Sequence, residues 1–206
     1  MLPSLIPIFP LPNAVLFPSV FLPLHIFEPR YRRMVEDALA GDRIIGMVLL
    51  RRGSQADDDG RPPVYPLGCA GVVTHHERLE DGRFNIVLRG LHKFRILGEE
   101  GGRPYRLARV EALVEAPCED PDALTQARNR LEALIATEPR QEGSFPSSMR
   151  DEELVHALAQ YTELEPIEKQ ALLECDGLLP RCRSLIELLE MRLHTARGRW
   201  TSGGVH

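Results

Sequence analysis

The sequence predicts an α+β protein, with a β-rich first half that contains one helix and a helical second half. Short apolar runs bounded by Pro and Gly fill residues 1–115, whereas apolar positions recur every three or four residues after residue 120. The chain has 206 residues, enough to bury a core without metal or disulfide bonds. We expect a β domain over residues 1–115, a helical domain over 116–200 and a disordered tail over 201–206.

The first segments of the β half are rich in proline. Apolar runs at Leu5–Phe9, Ala14–Phe17 and Val20–Leu24 predict extended structure, and their prolines favour sheet edges and strand ends. Pro29 then begins a helix whose apolar positions share one face and which ends at Gly41.

Further strands follow this helix and complete the β half. The polar stretch 51–63 predicts a mobile surface loop, and Asp81-Gly82 is typical of a hairpin turn. The predicted strands are Ile44–Leu50, Val64–His75, Phe84–Leu91, Phe94–Ile96 and Tyr105–Val114. Many short strands separated by turns favour a closed or nearly closed barrel.

The second half predicts four helices. Asp120 before Pro121 is an N-cap followed by proline in the first turn, and Pro166 and Pro180 begin two later helices. Residues 154–161 form another helical segment, and the helix from Pro180 is expected to end at Gly198.

Charge and cysteine content limit the possible partners and compartments. The formal net charge is −5, so a large basic surface for nucleic acid is not expected. Four cysteines without a paired spacing favour a reducing cytoplasm. The first 24 residues lack charged side chains, but their six prolines argue against a membrane span, and we expect neither a signal peptide nor a membrane segment.

Several motifs in the first half resemble the Lon protease N-terminal (substrate-binding) domain family, in particular its stand-alone bacterial members. They are Ile8–Pro18 (IFPLPNAVLFP), Leu22–Tyr31 (LPLHIFEPRY), Ile45–Leu50, Leu67–Gly71, Asp81–Arg83 and Leu88–Ile96. The match runs in order through almost the whole first half, whereas the second half fits the family by its helical pattern.

The resemblance implies a PUA-like β pseudo-barrel with one helix, followed by a C-terminal α-helical bundle. It also implies a non-catalytic module that binds proteins or unfolded peptide segments. Because PUA-like barrels often bind RNA, an RNA-binding protein is the alternative, which the acidic balance disfavours. An uncharacterised hydrolase is a third possibility.

Catalytic and metal motifs are not visible in the sequence. Neither Lys93 nor Lys169 lies in a G-x-x-x-x-G-K-[ST] phosphate loop. Neither suits a Ser-Lys protease dyad, because Lys93 lies in a predicted strand region and Lys169 is expected on an exposed helix face. His75 and His76 are strand neighbours that point to opposite faces, so we expect no metal site. We interpret Cys69 as a buried residue and expect no cofactor.

The candidate protein-binding residues are Phe27, Arg30, Tyr31, Phe145 and Met149. The first three lie at the start of the predicted helix, and the last two lie in the long loop between helices. Exposed apolar groups recognise unfolded segments, and we expect them at the groove between the β and helical domains. A structural interpretation stays open beside this one. In it, Arg30 and Tyr31 hold the helix on the barrel and Phe145 covers the helices.

Overall fold

The computed structural model describes residues 2–51, 53, 61–136 and 149–201, with backbone alone beyond residue 195. Several sequence predictions fall on positions outside these ranges. They concern Phe145, most of the polar loop at 51–63, and residues 202–206 of the tail.

The strands form one mixed sheet that closes on itself. They are β1 (Leu5–Leu11), β2 (Phe21–Ile26), β3 (Ile44–Leu49), β4 (Leu67–Arg78), β5 (Phe84–Glu100) and β6 (Arg106–Ala112). Their order is β2-β5-β4-β3-β1-β6, and β5 also pairs with β6, so five strands complete a ring and β2 extends it beside β5. The pair β1–β3 is parallel and the other pairs are antiparallel.

Strand β5 closes the ring because it is long and irregular. Its first residues pair with β2, from Phe84 to Arg89, and its last residues pair with β6, from Phe94 to Glu100. Register shifts interrupt both its pairing with β4 and its pairing with β6. Such bulges bend a strand and increase its twist, which lets one strand serve two neighbours at its two ends.

The prolines of β1 lie neither in an edge strand nor at a strand end, which corrects the expectation from the sequence. Pro7 and Pro10 lie inside β1, which has neighbours on both sides. However, β1 pairs with β6 over Leu5–Ile8 and with β3 over Ile8–Leu11. Each half of the strand therefore has one paired edge, and a missing N–H can face the other edge.

The predicted extended run Ala14–Phe17 is wrong as a strand, because these residues are irregular although Val15–Phe17 are buried. The Phe17 amide donates to Gln160 Oε1 at 3.2 Å. His156 Nδ1 donates to the Pro18 carbonyl at 3.1 Å. Side chains from a helix distant in sequence thus satisfy the Phe17 amide and the Pro18 carbonyl in place of a neighbouring strand.

The predicted helices are confirmed, and with the sheet they establish the α+β class. They are α1 (Pro29–Ala40), α2 (Pro121–Ile135), α3 (Asp151–Tyr161), α4 (Pro166–Glu174) and α5 (Leu178–Thr201). Asp120 caps α2, because its Oδ1 accepts the Ala123 amide at 2.9 Å. Helix α5 begins before the predicted Pro180 and extends past the predicted end at Gly198.

Backbone contacts divide the chain into two compact units. The first comprises Met1–Val114 with His156–Glu174, and the second comprises Glu115–Val155 with Cys175–His206. The segment His156–Glu174, predicted within the helical domain, therefore groups with the strands. The ranges 1–115 and 116–200 stay a prediction as domain limits.

Each unit has its own buried contacts. In the first, Phe94 belongs to a core cluster with residues of β1, β3, β4 and β6. Strands pack closely beside it, because a Cβ on Gly68 would lie 2.4 Å from the Met47 carbonyl oxygen and 2.9 Å from the Phe94 ring. In the second, α2 and α5 contact each other, and the fully buried Arg181 donates to both carboxylate oxygens of Glu115.

Candidate functional site

Large aromatic side chains are exposed at both ends of strand β2 in the first unit. Phe21 is 49% exposed, Tyr161 is 62% exposed and Phe27 is 60% exposed. Along the strand, Phe21, Pro23 and His25 point outward, whereas the residues between them are more buried. We call the outward group formed by Phe21, Pro23, His25, Phe27, Val87 and Tyr161 the aromatic face.

The middle of the aromatic face is a shallow cavity of about 330 Å³. Its lining is largely apolar and comprises Pro23, Leu24, His25, His75, Asn85, Ile86 and Val87. Cross-strand pairing places Pro23 opposite Val87 and His25 opposite Asn85. The face therefore offers an apolar depression between two aromatic ends.

A polar network fixes the imidazole of His25. Its Nδ1 lies 2.8 Å from Asn85 Oδ1, and its Nε2 lies 3.2 Å from Arg83 Nη1. Because Asn85 also donates through Nδ2 to Glu77, its oxygen faces His25, and the network assigns the imidazole proton to Nδ1. Phe27 stacks on this ring with centroids 6.3 Å apart, so the network also orients Phe27.

The backbone at the outer edge of β2 is a poor template for another strand. Val20 accepts the Gly90 amide, so the alternate residues Phe21, Pro23 and His25 direct their backbone groups away from β5. Tyr161 Oη donates to the Phe21 carbonyl at 3.0 Å, and Pro23 has no N–H. Contacts at this edge therefore favour side chains over backbone pairing.

A second concave feature of the first unit, which we call the arginine cleft, has a volume of about 380 Å³. Four arginines, two tyrosines and four prolines contribute most of its lining. The lining residues are Pro10, Leu11, Pro12, Glu28, Arg30, Tyr31, Leu50, Arg61, Pro62, Arg103, Pro104, Tyr105 and Arg106.

Ion pairs hold the arginine cleft in shape. Arg106 binds both carboxylate oxygens of Glu99 and donates to the Pro62 carbonyl at 2.8 Å. Arg103 Nη1 and the Tyr105 hydroxyl both donate to Asp37 Oδ2, at 3.0 and 2.7 Å.

These contacts set the ionisation of the cleft. The hydrogen bond from Tyr105, with the arginines nearby, lowers the pKa of Asp37 below its usual value. Burial, followed by the bond to Asp37, raises the pKa of Tyr105 to about 12. Asp37 is therefore ionised at neutral pH, and Tyr105 keeps its proton.

The structure separates the predicted binding residues. Arg30 and Tyr31 line the arginine cleft, whereas Phe27 lies on the aromatic face. Met149 belongs to the second unit, where it is half-buried and its carbonyl accepts Arg128 Nη1 at 2.7 Å. Phe145 lies outside the described residues, so its role and that of Met149 stay predictions.

The contacts of Tyr31 support the structural interpretation of the start of α1. Tyr31 is buried against Phe9 of β1, with ring centroids 4.4 Å apart. Arg30 lies over the Tyr31 ring at 4.5 Å and its Nε donates to Glu28 at 2.9 Å. Glu28 is the N-cap residue but makes no side-chain capping bond. Tyr31 thus anchors α1 to the strands, while the Arg30 side chain remains 54% exposed.

Sequence reasoning missed Phe21, Tyr161 and Arg103. The alternation of β2 carries a signal for Phe21, because it places Phe21, Pro23 and His25 on one face. The positions of Tyr161 and Arg103 depend on tertiary contacts with Phe21 and Asp37 that lie far away in sequence.

Residues considered for catalysis or metal binding have structural contacts. Cys69 is fully buried and Lys93 is nearly so. Lys169, expected on an exposed face, is half-buried and donates to the Gln160 carbonyl, which corrects that expectation. His76 Nδ1 lies 3.1 Å from Arg43. Within the described ranges, no group of three or more His, Cys, Asp or Glu could hold a metal ion.

Among the helices that the structure describes, none combines the length and hydropathy needed to cross a bilayer.

Comparison with known proteins identifies the family. A family model described as the ATP-dependent protease La (LON) substrate-binding domain matches residues 5–191. Lon protease 2 of Sorangium cellulosum (strain So ce56) is 27% identical over 202 residues, which cover 93% of this chain and 25% of that protein. Lon protease 2 of Myxococcus xanthus is 28% identical over 204 residues, covering 93% and 24%. The chain thus spans about a quarter of the length of these curated relatives.

Two solved structures share the fold. The N terminal domain of Mycobacterium avium complex Lon protease has a TM-score of 0.69 at 16% identity, covering 90% of this chain and 98% of that chain. The Lon N-terminal domain protein from Xanthomonas campestris has a TM-score of 0.63 at 22% identity, covering 91% and 98%.

Proposed function

Because the chain belongs to the family of ATP-dependent protease La (LON) substrate-binding domains, we propose that it binds extended, unfolded segments of client proteins. The aromatic face is the observation that carries this proposal. Unfolded segments differ from folded surfaces chiefly by their exposed apolar side chains, and binding removes that apolar area from water. Contiguous exposed apolar surface on a folded protein marks such binding sites.

The dimensions of the aromatic face suit an extended segment. Phe21 and Phe27 are separated by six residues along an extended strand, which corresponds to about 20 Å at roughly 3.3 Å per residue. A client segment of similar length can place one apolar side chain at each aromatic end and another over the depression at Pro23 and Val87. Because the edge backbone is blocked at Phe21 and Pro23, recognition depends on side chains and tolerates varied sequences.

We propose further that the chain acts without catalysis of its own. The family model that matches it describes a binding domain. Its buried Cys69 and Lys93 are enclosed by the fold and not presented to a substrate. The RNA-binding alternative gains no support from the family match or the curated relatives. The four cysteines have no paired spacing, which supports the proposal of a reducing, cytoplasmic location.

The test replaces Phe21 and Phe27 together by Ser and measures binding of a reduced, carbamidomethylated α-lactalbumin by fluorescence anisotropy. Full burial of one Phe contributes about 1.5–3 kcal/mol. Because each ring is already about half covered, we expect the double variant to weaken binding at least tenfold, or about 1.4 kcal/mol.

Leu97→Ser is the matched control, because Leu97 is 59% exposed and does not belong to the aromatic face. We expect it to bind like the wild type. Thermal unfolding of all three proteins separates lost contacts from lost structure. Equal affinities for the double variant and the control, at equal thermal stability, would overturn the proposal.

A further inference from the structure

We propose that the arginine cleft binds the Asp and Glu side chains of an extended peptide segment. Its lining shares no residue with the aromatic face, and the proposal goes beyond the binding of apolar segments. Four arginines and one glutamate line the cleft, in a chain whose formal net charge is −5. A cluster of guanidinium groups attracts carboxylates, and the remaining charges of the chain sum to a negative value.

The carboxylates that pair with the arginines at the cleft are fewer than the arginines they contact. Asp37 and Glu99 do not line the cleft themselves, but they pair with Arg103 and Arg106 of its lining. Ion pairs share the three carboxylates of Glu28, Asp37 and Glu99 among the guanidinium groups of Arg30, Arg33, Arg103 and Arg106. Arg106 is only 12% exposed and directs all three guanidinium nitrogens to protein groups, so it has a structural role.

Arg30 and Arg103 are the groups that face a ligand. Their side chains are 54% and 49% exposed. Arg103 bonds Asp37 through Nη1, and a guanidinium has five N–H donors in a planar fork. Arg30 bonds Glu28 through Nε and Nη2, and its Cζ lies 4.5 Å from the centroid of the Tyr31 ring. Both guanidinium groups are thus oriented in advance, which reduces the entropy lost when a carboxylate binds.

The apolar walls strengthen this recognition. Proline rings and the two tyrosines surround the arginines, and they supply flat surfaces for the backbone and aliphatic parts of an extended chain. Partial exclusion of water lowers the local dielectric constant and strengthens charge-assisted hydrogen bonds. Because burial and the bond to Asp37 keep Tyr105 protonated, it adds no negative charge to the cleft.

The size of the cleft favours a peptide over a nucleic acid. Nucleic-acid affinity grows with the number of phosphates neutralised along a strand. A cavity of about 380 Å³ gives room for a short peptide segment, but it does not provide the long basic track that a polyanion needs. An extended peptide with spaced carboxylates matches both the volume and the two exposed arginines.

The test uses two short fluorescent peptides with amidated C-termini, one with several Asp and Glu residues and one with Asn and Gln in their places. Fluorescence anisotropy with the full chain is expected to give at least tenfold tighter binding of the acidic peptide. Raising the salt from about 0.1 to 1 M, which shortens the Debye length from about 10 to 3 Å, should remove most of that difference. A version of the amide peptide with a free C-terminus tests whether a terminal carboxylate suffices, and we expect it to bind weakly.

Arg103→Gln is expected to weaken acidic-peptide binding about tenfold, and Arg30→Gln provides the same test if Arg103→Gln lowers thermal stability. The control is Arg109→Gln, which removes an equal charge from a 63% exposed residue that pairs with Glu100 outside the cleft. The Phe21 and Phe27 double variant should bind the acidic peptide normally, so the two sites can fail independently. Equal affinity for acidic and amide peptides, equal effects of Arg103→Gln and Arg109→Gln, or tighter binding of a single-stranded oligonucleotide would overturn the proposal.

Discussion

Replacing Gly90 by Ala should destabilise the protein. The backbone of Phe17 and Pro18 crosses β5 at Gly90 and leaves no room there for a side chain. A Cβ on Gly90 would lie 2.0 Å from the Phe17 carbonyl oxygen and 3.1 Å from the Pro18 Cα. Ordinary C···O contacts begin near 3.3 Å, so the two segments must separate by about 1.3 Å. The atoms in the way are backbone, and Gln160 and His156 hold them in place.

The cost can be worked out from the contacts at the crossing. Ser19 donates to the Gly90 carbonyl and Gly90 donates to the Val20 carbonyl, each at 2.9 Å. Weakening these two bonds costs about 1 kcal/mol each, and overpacking alone costs about 1–3 kcal/mol. Replacing Gly by Ala also lowers the conformational entropy of the unfolded chain, which stabilises the protein by up to about 1 kcal/mol. We therefore expect the free energy of unfolding to fall by about 2–4 kcal/mol.

Gly98→Ala is the matched control in the same strand. A Cβ on Gly98 meets nothing within 4 Å, so this variant should match the wild type or exceed it by up to about 1 kcal/mol. Urea unfolding followed by circular dichroism gives the free energy of unfolding of each protein. If Gly90→Ala and Gly98→Ala unfold with the same free energy, the crossing does not have the close packing described.

Three further predictions concern polar contacts. Arg181→Met should lower the free energy of unfolding by about 3 kcal/mol. This value is near the low end for a broken buried ion pair, because Glu115 keeps partial access to water. Urea unfolding measures the loss, and an unchanged free energy of unfolding would contradict the prediction. Gln160→Leu removes the acceptor of a buried backbone N–H and should cost about 1–3 kcal/mol in the same assay, whereas a stabilised variant would refute the role of that bond. The Tyr105 hydrogen bond lowers the pKa of Asp37, so the stability that the Asp37 carboxylate contributes is present above the ordinary pKa near 3.8 and is lost as the pH falls through the lowered value. Asp37→Asn should therefore lose less stability than the wild type between neutral and acidic pH. Parallel curves of unfolding free energy against pH for the two proteins would contradict this.

Much of the fold could be predicted because its local signals agree with its tertiary structure. The cap Asp120 begins α2 as predicted, and the Asp81-Gly82 turn joins β4 to β5. In contrast, Val15–Phe17 carry the apolar signal of a strand, but the Phe17 amide donates to the Gln160 side chain and not to a neighbouring strand. Phe17 and Gln160 are 143 residues apart in the sequence, so no local sequence pattern predicts their contact.

Less of the candidate site could be predicted, because it depends on which side chains stay exposed. Phe27 and Tyr31 are both aromatic residues at the start of α1, yet one is 60% exposed and the other is 7% exposed. That difference follows from the packing of Tyr31 on Phe9, which a sequence pattern does not reveal. Tyr161 joins the aromatic face through one hydrogen bond to the Phe21 carbonyl.

The location of client binding tests the central claim most directly. Backbone-amide NMR spectra of the isotope-labelled protein, recorded during titration with an unfolded client, report which residues change environment. We predict that the largest shifts occur at Phe21, His25, Phe27 and Tyr161. Shifts concentrated elsewhere, with unchanged signals along β2 at saturating client, would contradict the assignment of the aromatic face as the client-binding surface.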